Sequence, residues 1–154
     1  MSINKVIIIF GIILAIFAVV VVYQFNGQGM KTTGSVTINK QVFDVEKVTD
    51  PKAQEIGLTK YTSIKPNQGM LFIFDKVDSH PFWMRGMKFP IDMIFINGDT
   101  IVGTYENLPA AKASDPNIPT YGGDVESDKV LEINAGLTTK YYFKKGDKVT
   151  IVTK

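Results

Sequence analysis

A long apolar segment near the start of the chain separates it into two parts of different chemistry. The run from Val6 to Phe25 is almost entirely aliphatic or aromatic, and no charged residue occurs between Val6 and Met30. A helix over this run would be roughly 30 Å long, which matches the hydrocarbon core of a bilayer. Because the run is apolar on all sides, it predicts a single transmembrane helix and not an amphipathic helix lying on the membrane surface.

The charges that flank this segment predict its orientation. Lys5 and the α-amine precede it, and Lys31 is the first charge that follows it. The positive-inside rule then favours a cytoplasmic N-terminus and a C-terminal domain outside the cytoplasm. The Gly-Gln-Gly triplet ending at Gly29 has the small residues of a cleavage site, which would release a secreted domain. The run is long for a signal peptide, so we prefer an uncleaved anchor. The predicted organisation is an anchor or signal segment at 1–27, a linker at 28–34 and a globular domain at 35–154.

Composition excludes several classes of function. The chain has no Cys, which rules out disulfides, thiolate metal sites and Cys nucleophiles. Its 17 Lys and Arg nearly balance 15 Asp and Glu, whereas binding to nucleic acid needs a concentrated basic surface. A single His and the lack of a nucleophile-elbow motif argue against a Ser–His–Asp triad. We therefore expect no nucleic-acid partner, no cofactor and no metal site.

The region after the linker alternates apolar and polar residues in the manner of β-strands. This alternation covers 35–40 and 41–47, and Asn39-Lys40 between them predicts a tight hairpin. Two further runs, at 69–75 and 91–97, have the continuous apolar character of buried strands. Asn97-Gly98 predicts a hairpin into a strand at 100–106, and more strands are predicted at 129–133 and 148–153.

Two other segments, at 49–57 and 107–128, have residue patterns that predict a short helix and a long loop. Between Thr49 and Gly57, a capping residue is followed by Pro51, and a glycine stands at the end, which predicts a helix of about two turns. Residues 107–128 contain three prolines and two adjacent glycines. Such a long loop in a compact domain is usually functional or disordered, and its prolines favour an ordered loop over one face.

The segment His80–Arg85 concentrates the rare residues, because it holds the only His, the only Trp and the only Arg of the chain. One interpretation is a ligand cleft with Trp83 as an aromatic wall, Arg85 and Asp92 as polar anchors, and Tyr121 from the long loop. The other interpretation is structural: the aromatic residues belong to the core or its rim, and Arg85 forms an ion pair with Asp92 or Glu106.

Several motifs in this region resemble the family named domain of unknown function 192. They are Gly57-Leu58, GMLFIF at 69–74, FWMR at 82–85, PIDMIFI at 90–96, VLEINAG at 130–136 and Gly146-Asp147. Their order and spacing agree with the family from about Phe43 to Val149. The resemblance implies a small β-rich α+β domain, a partly open barrel with one short helix, often placed after a signal or anchor segment. It transfers no established catalytic residue and no substrate.

The chain departs from the family pattern at two places. Thr59 and Tyr61 stand where family members commonly have Met and Arg, and Gly86-Met87 replaces a usual Asn-Thr pair. A family activity that depends on the usual residues at these positions would therefore differ in this chain. The positions that agree are Trp83, Arg85 (where Lys is usual), Pro90, Asp92 and Glu132.

Two functional classes therefore stay open, with a third as a minor alternative. The preferred hypothesis is a membrane-anchored binding module that uses a Trp83–Arg85 cleft and the 107–128 loop to hold an extracytoplasmic ligand or protein. The alternative is a small extracytoplasmic hydrolase in which Asp92 or Glu106 acts as general base. The minor alternative is a filament subunit, since such proteins also begin with an apolar helix. An enzymatic role is the less favoured of the first two because no assembled catalytic set is visible.

Overall fold

The computed structural model describes residues 29–153, and most of them lie in β-strands. Two short helices are present in this part of the chain, α1 (Pro51–Ile56) and α2 (Leu137–Tyr141), and a 3-10 turn at Gly57–Lys60 follows α1 directly. The strands are β1 (Gly34–Ile38), β2 (Gln41–Val48), β3 (Gln68–Ser79), β4 (Phe82–Trp83), β5 (Ile91–Asn97), β6 (Thr100–Leu108), β7 (Thr120–Tyr121), β8 (Glu126–Asn134) and β9 (Val149–Thr153).

Seven strands form one curled sheet in the order β6-β5-β8-β3-β2-β1-β9. All neighbours are antiparallel except β2 and β3, which are parallel and are connected through α1. The two edge strands meet at one end only, where Ile101 N–H donates to Asp147 O at 3.0 Å and Val149 N–H donates to Asp99 O at 2.8 Å. The sheet is thus a half-barrel closed at one end, which confirms the predicted β-rich, partly open barrel with a short helix.

Both predicted hairpins form, with left-handed backbone at their turns. Asn39 and Lys40 have φ values of 47° and 69° between β1 and β2. In the second hairpin Asn97 pairs with Thr100, so that Gly98, at φ 60°, lies in a two-residue turn. Turns of this kind match the right-handed twist of the strands, which explains why these residue types identify the hairpins.

The predicted helix also forms, and its ends have the expected chemistry. The Asp50 side chain accepts the N–H of Ala53 at 3.0 Å, and Pro51 is the first helical residue. Gly57 ends the helix with φ 51°. This positive φ turns the chain into the 3-10 turn, which lies against Phe72 of β3.

Each face of the sheet packs its own apolar cluster, because the central strands alternate between the two faces. On β3, Leu71 belongs to one cluster and Phe72 to the other, and both are essentially fully buried. The first cluster fills the inside of the half-barrel and includes Val36, Ile38, Phe43, Ile94, Leu131 and Ile133. The second lies beneath α1, the 3-10 turn and the long loop, and includes Leu58, Met70, Phe72, Met84, Met93, Phe95 and Val130.

The predicted loop at 107–128 is shorter in the structure, because β6 ends at Leu108 and β8 begins at Glu126, and it is ordered over the second cluster. Its strand β7 pairs with β4, and Gly86 N–H donates to Ala111 O at 2.8 Å. Gly122 lies directly on the Phe95 ring, since a Cβ built at this glycine would be 2.1 Å from the ring. The loop is therefore part of the folded domain.

The predicted anchor over residues 6–25 lies outside the described residues, as do its orientation, its cleavage near Gly29 and the filament alternative that depends on it. No helix within residues 29–153 has the length and apolar character needed to cross a bilayer. Part of the predicted linker packs on the domain: Met30 is buried in the second cluster, and Thr33 N–H donates to Val45 O at 2.8 Å.

Candidate functional site

A cavity of about 270 Å³ lies between the α1 region and the β3–β4 segment. The α1 side is formed by α1 and the 3-10 turn, and the opposite side by aromatic residues of β3 and β4. This volume is just below the range of roughly 300–1,000 Å³ that is usual for small-molecule sites. The residues that line the cavity include Gln54, Glu55, Ile56, Leu58, Thr59, Phe72, Phe74, His80, Phe82, Trp83, Arg85, Met87 and Glu132.

Glu132 is the buried acidic group of this cavity. It lies on β8 between Met70 of β3 and Met93 of β5, and so its side chain points to the same face as these two apolar residues. Glu132 is 4% exposed, and its Oε2 atom has no hydrogen-bond partner in the described part of the chain. Burial raises the pKa of the Glu132 carboxyl to about 8, because the charged form loses its hydration. At neutral pH the carboxyl is therefore mainly protonated.

The aromatic wall of the cavity is held by ring-to-ring contacts. Phe72 and Phe82 meet edge to face with centroids 5.0 Å apart, and Phe74 and Phe82 do so at 6.3 Å. The His80 ring stacks on Phe74 at 3.7 Å, and its Nε2 atom is 3.2 Å from Lys76 O. These contacts restrict the rotamers of the lining rings, so the wall is largely preformed.

Trp83 and Arg85 form the rim. Trp83 is 52% exposed, and the Arg85 guanidinium lies 5.4 Å from the centre of its ring. Arg85 Nη1 also donates to Ala113 O at 2.8 Å, which connects the rim to the long loop. The structure thus places Trp83 and Arg85 in one site, as the cleft hypothesis requires.

The predicted ion pair of Arg85 with Asp92 or Glu106 is wrong. Within residues 29–153 the Arg85 guanidinium forms no salt bridge, and its hydrogen bond goes to a backbone carbonyl. The reason is the alternation of side chains along β5 and the position of β6 at the edge of the sheet. Asp92 points to the face opposite the cavity, and the exposed Glu106 lies on the outer strand β6.

Asp92 is fully buried and holds two backbone segments together. Its Oδ1 atom accepts the N–H groups of Asn107 at 2.8 Å and Gly136 at 3.0 Å, and its Oδ2 atom accepts the N–H of Thr138 at 2.8 Å. The carboxylate therefore caps the start of α2 and anchors the end of β6. It does not line the cavity.

The other two predicted site residues also lie away from the cavity. Glu106 accepts a hydrogen bond from the hydroxyl of Thr139, which is on α2. Tyr121 of β7 is half-buried and packs against Tyr105 with ring centroids 5.7 Å apart. Of the predicted site residues, the structure brings only Trp83 and Arg85 to the cavity, and Asp92, Glu106 and Tyr121 lie elsewhere.

Two of the residues that depart from the family pattern line this cavity. Thr59 and Met87 are both in its wall, while Gly86 beside Met87 has φ 75°. Tyr61 does not line the cavity, and its hydroxyl donates a hydrogen bond to the Glu46 carboxylate. The departures therefore change the lining of the candidate site itself.

The sequence did not predict Glu132 as a site residue, although Glu132 is one of the positions that agree with the family pattern. The signal in the sequence is its position inside the apolar run Val130–Ile133, where it is the only charged residue. An acidic side chain on a buried strand is unusual unless it is paired. Sequence alone leaves open which face of the strand it occupies and what surrounds it.

The acidic residues Asp75 and Asp78 near His80 lie at the exposed end of β3. No group of three or more His, Asp or Glu side chains between residues 29 and 153 is arranged to hold an ion.

Comparison with known proteins agrees with this architecture. A family model described as "Uncharacterized ACR", domain of unknown function 192, matches residues 34–151. The chain belongs to this family. No protein with a curated description matches it significantly.

Two solved structures resemble the chain. A protein of unknown function from Novosphingobium aromaticivorans is 29% identical, with a TM-score of 0.64, and the match covers 77% of this chain and 83% of that one. A protein from Sinorhizobium meliloti described as a "putative transcription regulator" is 27% identical, with a TM-score of 0.68. That match covers 80% of this chain and 97% of the other. The half-barrel is therefore shared by these two proteins.

Proposed function

We propose that this protein is a ligand-binding module whose site is the cavity between α1 and β3–β4, with Trp83 and Arg85 at its rim. In this proposal the segment 6–25 anchors the domain on the outer face of a membrane. The ligand is small, because the cavity holds about 270 Å³, and it is mainly apolar, because most of the lining side chains are hydrophobic or aromatic.

The observation that carries this proposal is the unpaired carboxyl of Glu132. A buried polar group without a partner costs roughly 1–3 kcal/mol, and an ionised one costs more. A side chain selected only for stability at this position would be apolar, like Met70 and Met93 beside it. Glu132 lines a cavity large enough for a ligand, and a ligand that bonds to its carboxyl group would offset this cost.

The long loop supports the site in this proposal by holding its rim. Arg85 is connected to the loop through Ala113 O, and Gly86 through Ala111 O. The β4–β7 pairing adds a second connection beside Trp83. These contacts hold the rim residues in position, so the site would be preformed before a ligand binds.

The hydrolase alternative has one favourable observation, which is again Glu132. A carboxyl with a raised pKa in a cleft is typical of a general acid or base. In this alternative Glu132 would be the general base instead of Asp92 or Glu106, which lie outside the cavity. A hydrolase could also use a hydroxyl group of the lining as nucleophile. The hydroxyl of Thr59 lines the cavity, but it donates its hydrogen bond to Ile56 O and not to Glu132. Binding is therefore the better-supported function.

The proposal is tested by blocking the cavity chemically. The chain has no Cys, so Thr59→Cys introduces a unique thiol in the lining. Benzyl methanethiosulfonate attaches a benzylthio group to this thiol through a disulfide and releases methanesulfinate. The matched control is Thr37→Cys, at a half-buried position on β1 away from the cavity. Binding of benzyl alcohol, benzylamine and benzoate to the full chain in a neutral detergent is followed by Trp83 fluorescence and melting temperature.

We expect saturable binding of at least one probe to the parent chain and to the benzylated Thr37→Cys variant. Benzylation of Thr59→Cys should abolish this binding, while the unlabelled variant should retain it. Binding that survives the Thr59 modification would place the ligand site elsewhere. No binding of any probe to the parent chain would argue against a small-molecule module.

The location of the domain is tested with the same control residue. In intact cells, a membrane-impermeant maleimide should label Thr37→Cys without permeabilisation if the domain lies outside the cytoplasm. Labelling only after permeabilisation would reverse the proposed orientation.

A further inference from the structure

The chemistry of the cavity narrows the class of its ligand. We propose that the ligand is a small organic cation, whose ammonium group lies against Glu132 and whose apolar body lies among the surrounding rings. This inference rests on the proposed function, because it specifies the ligand of the same cavity.

The first argument is the hydrogen-bonding capacity of Glu132. No N–H or O–H group of the described residues donates to its Oε2 atom. Glu132 also takes part in none of the salt bridges between residues 29 and 153. An ammonium group offers three donors and a positive charge to a carboxylate. It would therefore form hydrogen bonds with the carboxyl group and stabilise its ionised form in one contact.

The second argument is the charge around the cavity. Its ionisable lining consists of Glu55 from α1, His80 between β3 and β4, Arg85 after β4, and Glu132 from β8. Arg85 lies over Trp83 and donates to Ala113 O, so its charge stays at the rim. An anionic ligand would lie near two acidic side chains and would oppose the ionisation of Glu132, whereas a cation favours its ionised form.

The third argument is the aromatic wall. Phe72, Phe74, Phe82 and Trp83 all line the cavity. The faces of such rings carry negative potential and attract cations, and aromatic cages combined with an acidic group are a recurrent solution for binding organic ammonium ions. The same rings exclude water from the apolar body of the ligand.

Binding of this ligand is coupled to a proton. The Glu132 carboxyl loses its proton to solvent and becomes a carboxylate, while the ligand ammonium keeps its three N–H bonds. Ligand binding therefore releases protons at pH values below the raised pKa of the Glu132 carboxyl, because burial keeps this group protonated in the empty cavity. A neutral ligand that accepts a hydrogen bond from the protonated carboxyl would release none.

The test compares three ligands of the same shape on the full chain: benzylamine, benzyl alcohol and benzoate. We expect benzylamine to bind at least about tenfold more tightly than benzyl alcohol, and benzoate to bind most weakly. Titration calorimetry in two buffers of different ionisation enthalpy measures the proton released. In Glu132→Gln, the preference for benzylamine should fall to within about threefold of benzyl alcohol.

The outcomes separate this inference from the proposed function. If benzyl alcohol binds in the cavity as tightly as benzylamine, or if benzoate binds best, the cavity is a ligand site but its ligand is not a cation. Benzylamine binding without proton release, or undiminished in Glu132→Gln, would likewise overturn the cation inference. If none of the three ligands binds the parent chain, both proposals fail. The comparison of the ligands on the parent chain does not depend on the folding of any variant.

Discussion

Asp92 and Glu132 are buried carboxyl groups on neighbouring strands, and they face opposite sides of the sheet. In the register of β5 and β8, Asp92 pairs with Ile133, and Glu132 pairs with Met93. Asp92 accepts three backbone N–H groups, whereas Glu132 Oε2 accepts none. Two acidic residues of similar burial therefore differ in their surroundings: Asp92 connects backbone segments, and Glu132 lines the cavity.

The pH dependence of stability should reveal the ionisation of Glu132. In the unfolded chain this carboxyl ionises near the ordinary glutamate pKa of 4.5, but in the folded state it keeps its proton up to a pKa of about 8. Between these pH values the folded state binds more protons, so the free energy of unfolding falls as the pH rises. Glu132→Gln should lack this loss, which amounts to several kcal/mol at most, since one pKa unit is about 1.4 kcal/mol.

The measurement is urea unfolding of the parent chain and of Glu132→Gln from pH 5 to 9. The control is Glu126→Gln, an exposed position on the same strand, which should follow the parent chain. Parallel profiles for the parent and Glu132→Gln would show that Glu132 is already ionised or solvated in the folded state.

Replacement of Asp92 should lower the free energy of unfolding. In Asp92→Asn one oxygen becomes an NH₂ group, which leaves at least one of the N–H groups of Asn107, Gly136 and Thr138 without an acceptor. Each buried donor that loses its partner costs about 1–3 kcal/mol. The measurement is the midpoint of urea unfolding. Glu106→Gln, at an exposed carboxyl, should change the free energy of unfolding by less than about 0.5 kcal/mol. Normal stability of Asp92→Asn combined with lost function would restore Asp92 as a catalytic candidate.

The adjacent glycines of the long loop should differ sharply in their tolerance of a methyl group. Gly122 has φ 80°, and a Cβ there would lie 2.1 Å from the Phe95 ring. Gly123→Ala meets nothing within 4 Å. We expect Gly122→Ala to cost about 2–4 kcal/mol, from backbone strain and overpacking, and Gly123→Ala to stay within about 0.5 kcal/mol. Thermal unfolding of the two variants checks this, and equal melting temperatures would mean that the loop does not pack on Phe95.

Replacement of two aromatic residues that line the cavity, Trp83 at its rim and Phe72 in its wall, should lower the free energy of unfolding by different amounts. Trp83 is half-exposed, so Trp83→Ala should cost about 1 kcal/mol or less. Phe72 is 1% exposed, and Phe72→Ala should cost about 3–5 kcal/mol through loss of burial and formation of a cavity. Denaturant midpoints measure both. A cost of several kcal/mol for Trp83→Ala would place its ring in the core.

Local chemistry explains why much of the fold was predictable. The turn residues Asn39-Lys40 and Asn97-Gly98, together with the cap at Asp50, act within a few positions along the chain, so their effect can be recognised from neighbouring residues alone. The second helix, α2, was not predicted as such. It has only five residues and starts at backbone held by Asp92, which is more than forty positions earlier in the chain.

The candidate site was only partly predictable. The concentration of rare residues in the His80–Arg85 segment predicted a cleft with Trp83 and Arg85, and both residues line the cavity. Asp92 and Tyr121 were equally suitable candidates because they are polar or aromatic residues close to the same motifs. Their actual positions depend on the alternation of β5 and on the path of the loop, which are properties of the assembled sheet.

The sequence by itself determined the β-rich class, the hairpins, the short helix and the family, because these depend on spacing and turn chemistry along the chain. Only the tertiary structure decided which buried carboxyl is paired and which is free. The physical reason is that a side chain's partners come from distant strands: Asp92 finds three donors at the ends of β6 and α2, while Glu132 is surrounded by apolar residues of β3 and β5 and by a cavity. Burial and pairing are properties of the assembled fold, and they set the charge state on which the proposed site depends.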